Sequence, residues 1–141
     1  MGRSDPAEGF DPVARFAAAP VARLATVRPD GTPHLVPVVF ALDDDVVYTA
    51  VDAKAKTTQR LQRLTNIENN SRVSVLVDEY AHDWSRLWWV RADGHAAIHH
   101  ADETTRRGHL LLRAKYSQYQ SVPLHDTVIA ITVQRWHGWA T

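Results

Sequence analysis

The chain has 141 residues, 45% of them apolar, with 16 basic and 16 acidic side chains and no cysteine. That is the size of one domain able to build a full core. It excludes disulfides, thiolate metal sites and thiol nucleophiles, and the balanced charge argues against broad nucleic-acid binding, which needs a strongly basic domain.

No apolar run approaches the roughly 18 residues that a membrane-spanning helix needs. The start, MGRSDPAEGFDP, has no apolar signal core, so a cytoplasmic protein is expected. Residues 1–9 read as a flexible tail and residues 10–141 as a single domain.

FDPVARFAAAP opens that domain as a short helix, with Asp11 as N-cap, Pro12 at the first helical position and Pro20 as the stop. VARLATV (21–27) and HLVPVVFAL (34–42) are strands joined by the turn Arg28-Pro29-Asp30-Gly31. After the turn DDD (43–45) comes a third strand, VVYTAV (46–51). A second helix is expected to begin near Thr57 or Thr58, with Leu61, Leu64 and Ile67 along one face.

SRVSVLVDEY and LWWVRADGHAAIHH are the fourth and fifth strands, the latter bent at Gly94. ADETTRRGHLLLRAKYSQY is a third helix, capped by Asp102 and weakened at Gly108; TVIAITVQRWHGWA is the sixth strand. Strands arrive in turn-linked groups without strand–helix–strand alternation. The expectation is a mainly β, α+β domain: an antiparallel six-stranded barrel with three flanking helices.

Two strands carry more apolar surface than one wet face allows. In HLVPVVFAL, Leu35, Pro37, Val39 and Ala41 share one face, and Val36, Val38, Phe40 and Leu42 the other. Both faces therefore need a cover, whether helix, ligand or second subunit. Pro37 cannot donate to a ladder and marks an edge, a bulge or a place where pairing gives way. Trp88 and Trp89 must point to opposite faces, so one of them looks outward. With Trp84, Trp136 and Trp139 they load the second half with aromatics of the kind enriched at interfaces, which favours a homodimer whose interface shapes a flat pocket.

Between Ala53 and Ile67 stand four cations, Lys54, Lys56, Arg60 and Arg63, and no acid. Backbone N–H groups at a helix start there would form an anion site, with Lys54 and Lys56 supplying charge and a threonine hydroxyl a further donor. The guest would be a phosphate or a carboxylate; the alternative is a solvated, ordinarily capped helix.

The histidines of GHAAIHH do not make a metal site. His95 and His99 share a strand face about 13 Å apart, and His100 points the other way. DEYAHD matches no ligand spacing. A hydrolytic triad from Ser74 or Ser85 with His82 and Asp83 lacks a nucleophile-elbow motif.

The segments RLATVRPDGTPHLVPVVFALDDDVVYTAVDAKAK, LQRLTNI, SRVSVLVDEY and LWWVRADGHAAI resemble the pyridoxamine-5′-phosphate-oxidase-like split β-barrels. Within that family they are most similar to the oxidoreductases that use the deazaflavin coenzyme F-420. The resemblance covers about residues 10–140, and its most specific pieces are RPDGTPHLVPV, DAKAK with the following RL.NI, and DEY.HDW..LWWVR. It implies an FMN-binding-like six-stranded split barrel, a homodimer, and flavin-like cofactors in grooves at the interface.

The resemblance further implies that Lys56, with Lys54 and Thr57 beside it, holds the cofactor phosphate. Val36, Pro37 and Val38 would lie along the ring, and Thr49 and Ala50 near the phosphate or ribityl chain; Arg60 and Arg63 would either help with the carboxylates or be merely solvated. FMN-using relatives place an arginine early in the second strand, where this chain has His34 beside Pro33. That tilts the expectation to the deazaflavin.

The expected activity is hydride transfer from reduced coenzyme F-420 to an unsaturated, planar small molecule. The cofactor does the chemistry and the protein positions it. Tyr80, His82 and Tyr116 are candidate proton donors. Alternatives are an FMN-dependent oxidase or reductase, a non-catalytic carrier of flavin, deazaflavin or haem with His34 or His82 as haem ligand, and a purely structural dimer.

Overall fold

The computed structural model describes residues 9–52 and 61–141. In chain order these form α1 (Pro12–Ala18), β1 (Ala22–Val27), β2 (Pro33–Val38), β3 (Ala41–Asp43), β4 (Val46–Asp52), α2 (Gln62–Asn69), β5 (Arg72–Glu79), β6 (Trp88–His100), α3 (Glu103–Lys115) and β7 (Leu124–Ala140). Single 3-10 turns at Trp84–Arg86 and Ser117–Gln120 complete the list. All strands join one antiparallel sheet in the order β2-β1-β5-β6-β7-β4-β3.

The local signals act as their chemistry requires. Asp11 accepts a hydrogen bond from the Ala14 N–H (3.2 Å) and Pro12 opens α1. In the 28–31 turn Asp30 accepts from the Thr32 N–H (3.0 Å) and hydroxyl (2.7 Å), and Gly31 takes a φ of 91°. Asp102 caps α3 by accepting from the Thr105 N–H (2.9 Å) and from its hydroxyl, while His99 Nδ1 lies 2.8 Å away. Those bonds hold the Asp102 carboxyl down at about 2.

Three expectations need correction. The sheet has seven strands, because the expected strand 34–42 breaks at Val39 and Phe40 into β2 and β3. It is not a closed barrel: β2 and β3 are its two edges, joined by two residues of chain and not by a ladder. And α2 begins at Gln62, after an extended Leu61 (φ −65°, ψ 138°) that makes no side-chain cap bond, so the helix start placed at Thr57 or Thr58 is not the start of α2. Thr57 and Thr58 lie outside the described residues.

Alternation divides each strand cleanly. Inward, Leu24, Val47, Val51, Val75, Val77, Val90, Ile129 and Ile131 form one core with Phe16 of α1, Leu64 and Ile67 of α2, Phe40 and Trp136. Phe16 packs against Phe40 and edge-on against Trp136, ring centroids 5.0 Å apart in each case. Outward, α3 covers only part of the sheet, where Leu112 meets Ala41, Tyr48, Ala50, Val128 and Ala130.

Gly108 lets α3 sit that close. A methyl there would meet Val128 Cγ1 at 3.0 Å and Tyr48 Cδ2 at 3.2 Å. The bend of β6 falls at Gly94, as the sequence predicts: the register against β7 shifts between Asp93 and Gly94, and a methyl on Gly94 would overlap the Thr132 carbonyl oxygen. Such a bulge bends and twists the strand pair.

The break between β2 and β3 is held from the end of α3. The Tyr116 hydroxyl accepts from the Phe40 N–H (3.2 Å) and lies within donating distance of the carbonyls of Pro20 (2.9 Å) and Phe40 (3.0 Å). Beside it Lys115 Nζ donates to the Ala19 carbonyl (2.8 Å) and sits 3.8 Å from the centre of the Phe40 ring. Burial without a carboxylate pushes the Lys115 ammonium down to about 8.

Three outcomes are expected. Gly94→Ala, whose methyl meets rigid backbone, lowers stability by roughly 2 kcal/mol or more in denaturant unfolding. Gly108→Ala costs less, because its methyl meets side-chain ends and alanine favours the helix by about 1 kcal/mol. Tyr116→Phe costs about 1–3 kcal/mol, the penalty for leaving buried backbone groups unpaired.

Lys115 makes a pH-dependent prediction. Its folded-state value lies below the ordinary 10.5, so between about pH 8 and 10.5 the folded chain holds fewer protons than the unfolded one. In that window this group makes stability rise with pH. Comparing unfolding midpoints at the two ends of the window, Lys115→Met removes that rise.

Candidate functional site

α3 covers the β3, β4 and β7 side, and among the described residues no element covers the outer face of β2, β1, β5 and β6. Two adjoining furrows cross it. One, of about 540 Å³, is lined by Arg23, Ala25, Leu35, Ser74, Leu76, Asp78, Tyr80, Trp89 and Arg91. The other, of about 660 Å³, shares Ala25 and Ser74 and continues past Thr26, Pro33, Arg72, Asp93, His95 and Arg135.

The first is mainly apolar and aromatic. Leu35 is 66% exposed and Tyr80 58%, so both stand open on this face. Trp88 turns into the core while Trp89 turns outward, under the Arg91 guanidinium (5.7 Å to the ring centre). Tyr80 stacks on Trp139 at 6.4 Å.

Asp93 sits where the furrows meet. It accepts from Ser74 Oγ (2.7 Å) and Arg91 Nε (3.0 Å), with His137 Nε2 3.5 Å from its other oxygen. These bonds fix Arg91 and leave its charged plane beside Trp89.

β2 forms one rim of this face. Its ladder with β1 uses one edge only, so the backbone groups of its other edge are free to meet a ligand or another chain. Pro33 and Pro37 bring no N–H, which keeps that edge from pairing indiscriminately.

The residues named from sequence separate as follows. Pro37 is exposed on the outer face beside Leu35. Val38 is buried in the inner core and Val36 packs against it, so their side chains point away from the furrow. Thr49 is buried, its hydroxyl donating to the Val39 carbonyl (2.8 Å), and Ala50 lies under α3. Lys54, Lys56, Thr57 and Arg60 lie outside the described residues.

Of the candidate proton donors, Tyr80 lines the furrow, His82 is exposed on the loop after β5, and Tyr116 is committed to the β2–β3 break. Burial raises the Tyr116 hydroxyl above its ordinary value. Ser85 Oγ donates to Asp83 (2.6 Å), a turn cap and not a nucleophile pair. Among the described residues no group of three or more metal-ligating side chains could hold an ion. Nor is any helix long and apolar enough to cross a membrane.

Sequence reading did not place Arg23, Trp89 and Arg91 together. Their signal is the alternation itself: each sits at an outward position between inward apolar residues, on β1 and β6, which are far apart in the chain but flank β5 in the sheet.

Several solved structures share this architecture. A conserved hypothetical protein of Mycobacterium tuberculosis aligns with a TM-score of 0.72 and 24% identity, over 91% of this chain and 82% of its own. An FAD-binding protein of Mesorhizobium loti gives 0.66 and 23%, over 89% and 87%. A heme-binding protein of Mycobacterium smegmatis gives 0.68 and 18%, over 86% of this chain and 49% of its own. At these identities the likeness is one of fold. No curated protein matches the sequence at a significant level. The profile of the family described as Pyridoxamine 5'-phosphate oxidase matches residues 12–140, nearly the whole described fold, and the chain belongs to that family.

Proposed function

We propose that the chain is an oxidoreductase that uses reduced coenzyme F-420 to transfer a hydride to an unsaturated, planar small molecule, working as a homodimer with the cofactor at the subunit interface. The observation that carries this reading is the bare outer face: a flat furrow with Leu35, Tyr80, Trp89 and Arg91, rimmed by the free edge of β2. Such a surface fits a planar heterocycle, with aromatic and apolar walls for its faces and free backbone groups for its edge.

The residues that would hold the ring are Leu35 and Pro37 from outside β2, and Tyr80 and Trp89 across the furrow. When bound, the deazaflavin supplies the hydride. The chain's own residues orient it, exclude water and hold the acceptor. Tyr80 is the candidate donor that lines the furrow; water serves equally if the substrate protonates in solvent. The second subunit would cover Leu35 and Tyr80, which are exposed among the described residues.

His34 at the head of β2, in place of the arginine of FMN-using relatives, supports the deazaflavin over FMN. FMN is the second reading, favoured by the family profile and by a fold relative named for FAD binding. A non-catalytic haem carrier is the third, favoured by the heme-binding relative.

Fluorescence titration of the purified apo-protein with coenzyme F-420, FMN and haemin separates the three. Tighter binding of F-420 is expected, with turnover of acceptors by the reduced cofactor; preference for FMN or haemin sinks the deazaflavin reading. Leu35→Asp is expected to shift the sedimentation equilibrium from dimer to monomer and to weaken cofactor binding at least tenfold, the effect of burying an unpaired carboxylate in an apolar contact. A dimer that survives Leu35→Asp unchanged would move the interface off this face.

A further inference from the structure

The open face carries more positive charge than the chain as a whole. Four arginines line its two furrows, Arg23, Arg72, Arg91 and Arg135, against two acids, Asp78 and Asp93. Four minus two leaves two positive charges, in a chain whose 16 basic and 16 acidic side chains balance. Ladder register sets two of the arginines in one row: Arg23 lies opposite Leu76 on β5, and Leu76 opposite Arg91 on β6. Their backbones are therefore about 10 Å apart, two strand spacings, with an apolar side chain between them. Trp89, two places before Arg91, stands on the same face of β6.

Arg91 is fixed without being saturated. Its Nε donates to Asp93 Oδ1 (3.0 Å), and the same oxygen accepts from Ser74 Oγ (2.7 Å). Its two Nη groups have no acceptor among the described residues, and its side chain is 40% exposed. Arg23 is exposed and makes no ion pair among the described residues. Asp78 lies opposite Trp89 in the ladder and pairs with neither arginine. A guanidinium held at Nε, with its Nη fork unpaired beside an apolar floor, is arranged for a planar anion that presents two oxygens.

We propose that the acceptor taken by this furrow is a planar aromatic acid. Its carboxylate meets the Arg91 fork, Arg23 adds charge from across Leu76, and its rings lie on Leu76 and Trp89. Arg91 thus selects by charge, and Asp93 and Ser74 position it. This acceptor class rests on the reading of the open face as the ligand-binding face and narrows the planar acceptor to an anionic one. A neutral ring of the same size would gain the aromatic contacts and none of the charge-assisted hydrogen bonds.

The test is calorimetric titration without cofactor, using 2-naphthoate and its neutral counterpart 2-naphthamide as probes. The proteins are the unmodified chain, Arg91→Met, Arg91→Lys and Arg106→Gln, the last an exposed change on α3 whose partner is Glu103. The unmodified protein and Arg106→Gln are expected to bind naphthoate about tenfold or more tightly than the amide, the worth of one hydrogen-bonded charge pair. Arg91→Met is expected to lose that preference by weakening naphthoate alone. Arg91→Lys should keep only part of it, because lysine brings the charge without the fork. Added salt should narrow the difference between the probes.

Equal binding of the two probes by the unmodified protein, binding of neither, or an equal loss of both in Arg91→Met overturns the proposal. So does a change from dimer to monomer in Arg91→Met, which would mean that the guanidinium pairs with the second copy. Should Arg91→Met lose its native circular dichroism, Arg91→Lys decides, since full preference in that variant overturns the fork. Titrating coenzyme F-420 into the same proteins separates this site from the cofactor reading. No F-420 binding with the naphthoate preference intact removes the deazaflavin and keeps the acid site. A loss of F-420 affinity in Arg91→Met as large as the loss of naphthoate gives the fork to the cofactor's own anions and overturns the acceptor assignment.

Discussion

The fold depends on how the chain gets from β2 to β3. At Val39 and Phe40 it leaves one edge of the sheet and reaches the other, and the backbone groups given up by the ladder must find partners. The Val39 carbonyl is met by the Thr49 hydroxyl, and the Phe40 N–H and carbonyl by the single hydroxyl of Tyr116. Phe40 itself is fully buried against Phe16, which in turn packs edge-on against Trp136. Side chains from α1, β4 and the end of α3 thus converge on two residues, and the Val39 carbonyl and both backbone groups of Phe40 keep partners where the sheet splits.

That split produces the exposed edge, and the placement of α3 decides which side of the sheet stays bare. One helix covers the outer face of β3, β4 and β7, where Gly108 allows close approach. Nothing in the described chain covers the outer face of β2, β1, β5 and β6. The same predicted strand therefore has two fates: Ala41 lies under a helix, while Leu35 and Pro37, on the same side of the earlier half, face solvent. An apolar surface next to an unpaired edge is a liability for an isolated chain. It is also the place where a planar cofactor and a second subunit would both gain contacts.

Charge is distributed with the same economy. Asp93 gathers Ser74, Arg91 and His137 at the centre of the open face, so the polar groups there are largely satisfied by one another. Lys115 is held by a carbonyl and an aromatic face at the split, without an acid. Arg63, like His34 and His137, keeps a buried nitrogen without a hydrogen-bond partner among the described residues.

Much of this was legible in the residues before any coordinates. Asp11 before Pro12, Asp102 three places before Thr105, the 28–31 turn and the bend at Gly94 are local signals, and local chemistry decides them within a few residues of chain. Alternation told that Trp88 and Trp89 part company and that 34–42 needs covering on both faces. What alternation could not tell is that this segment is two strands, since the break is made by Thr49 and Tyr116, 10 and 76 residues away from their partners. Nor could it tell that the cover is α3 for one half and absent for the other, that Val36 and Val38 turn inward, or that Arg63 arrives beside His34. Those depend on which elements the closed packing brings together across the chain, and side-chain periodicity carries no information about distant partners.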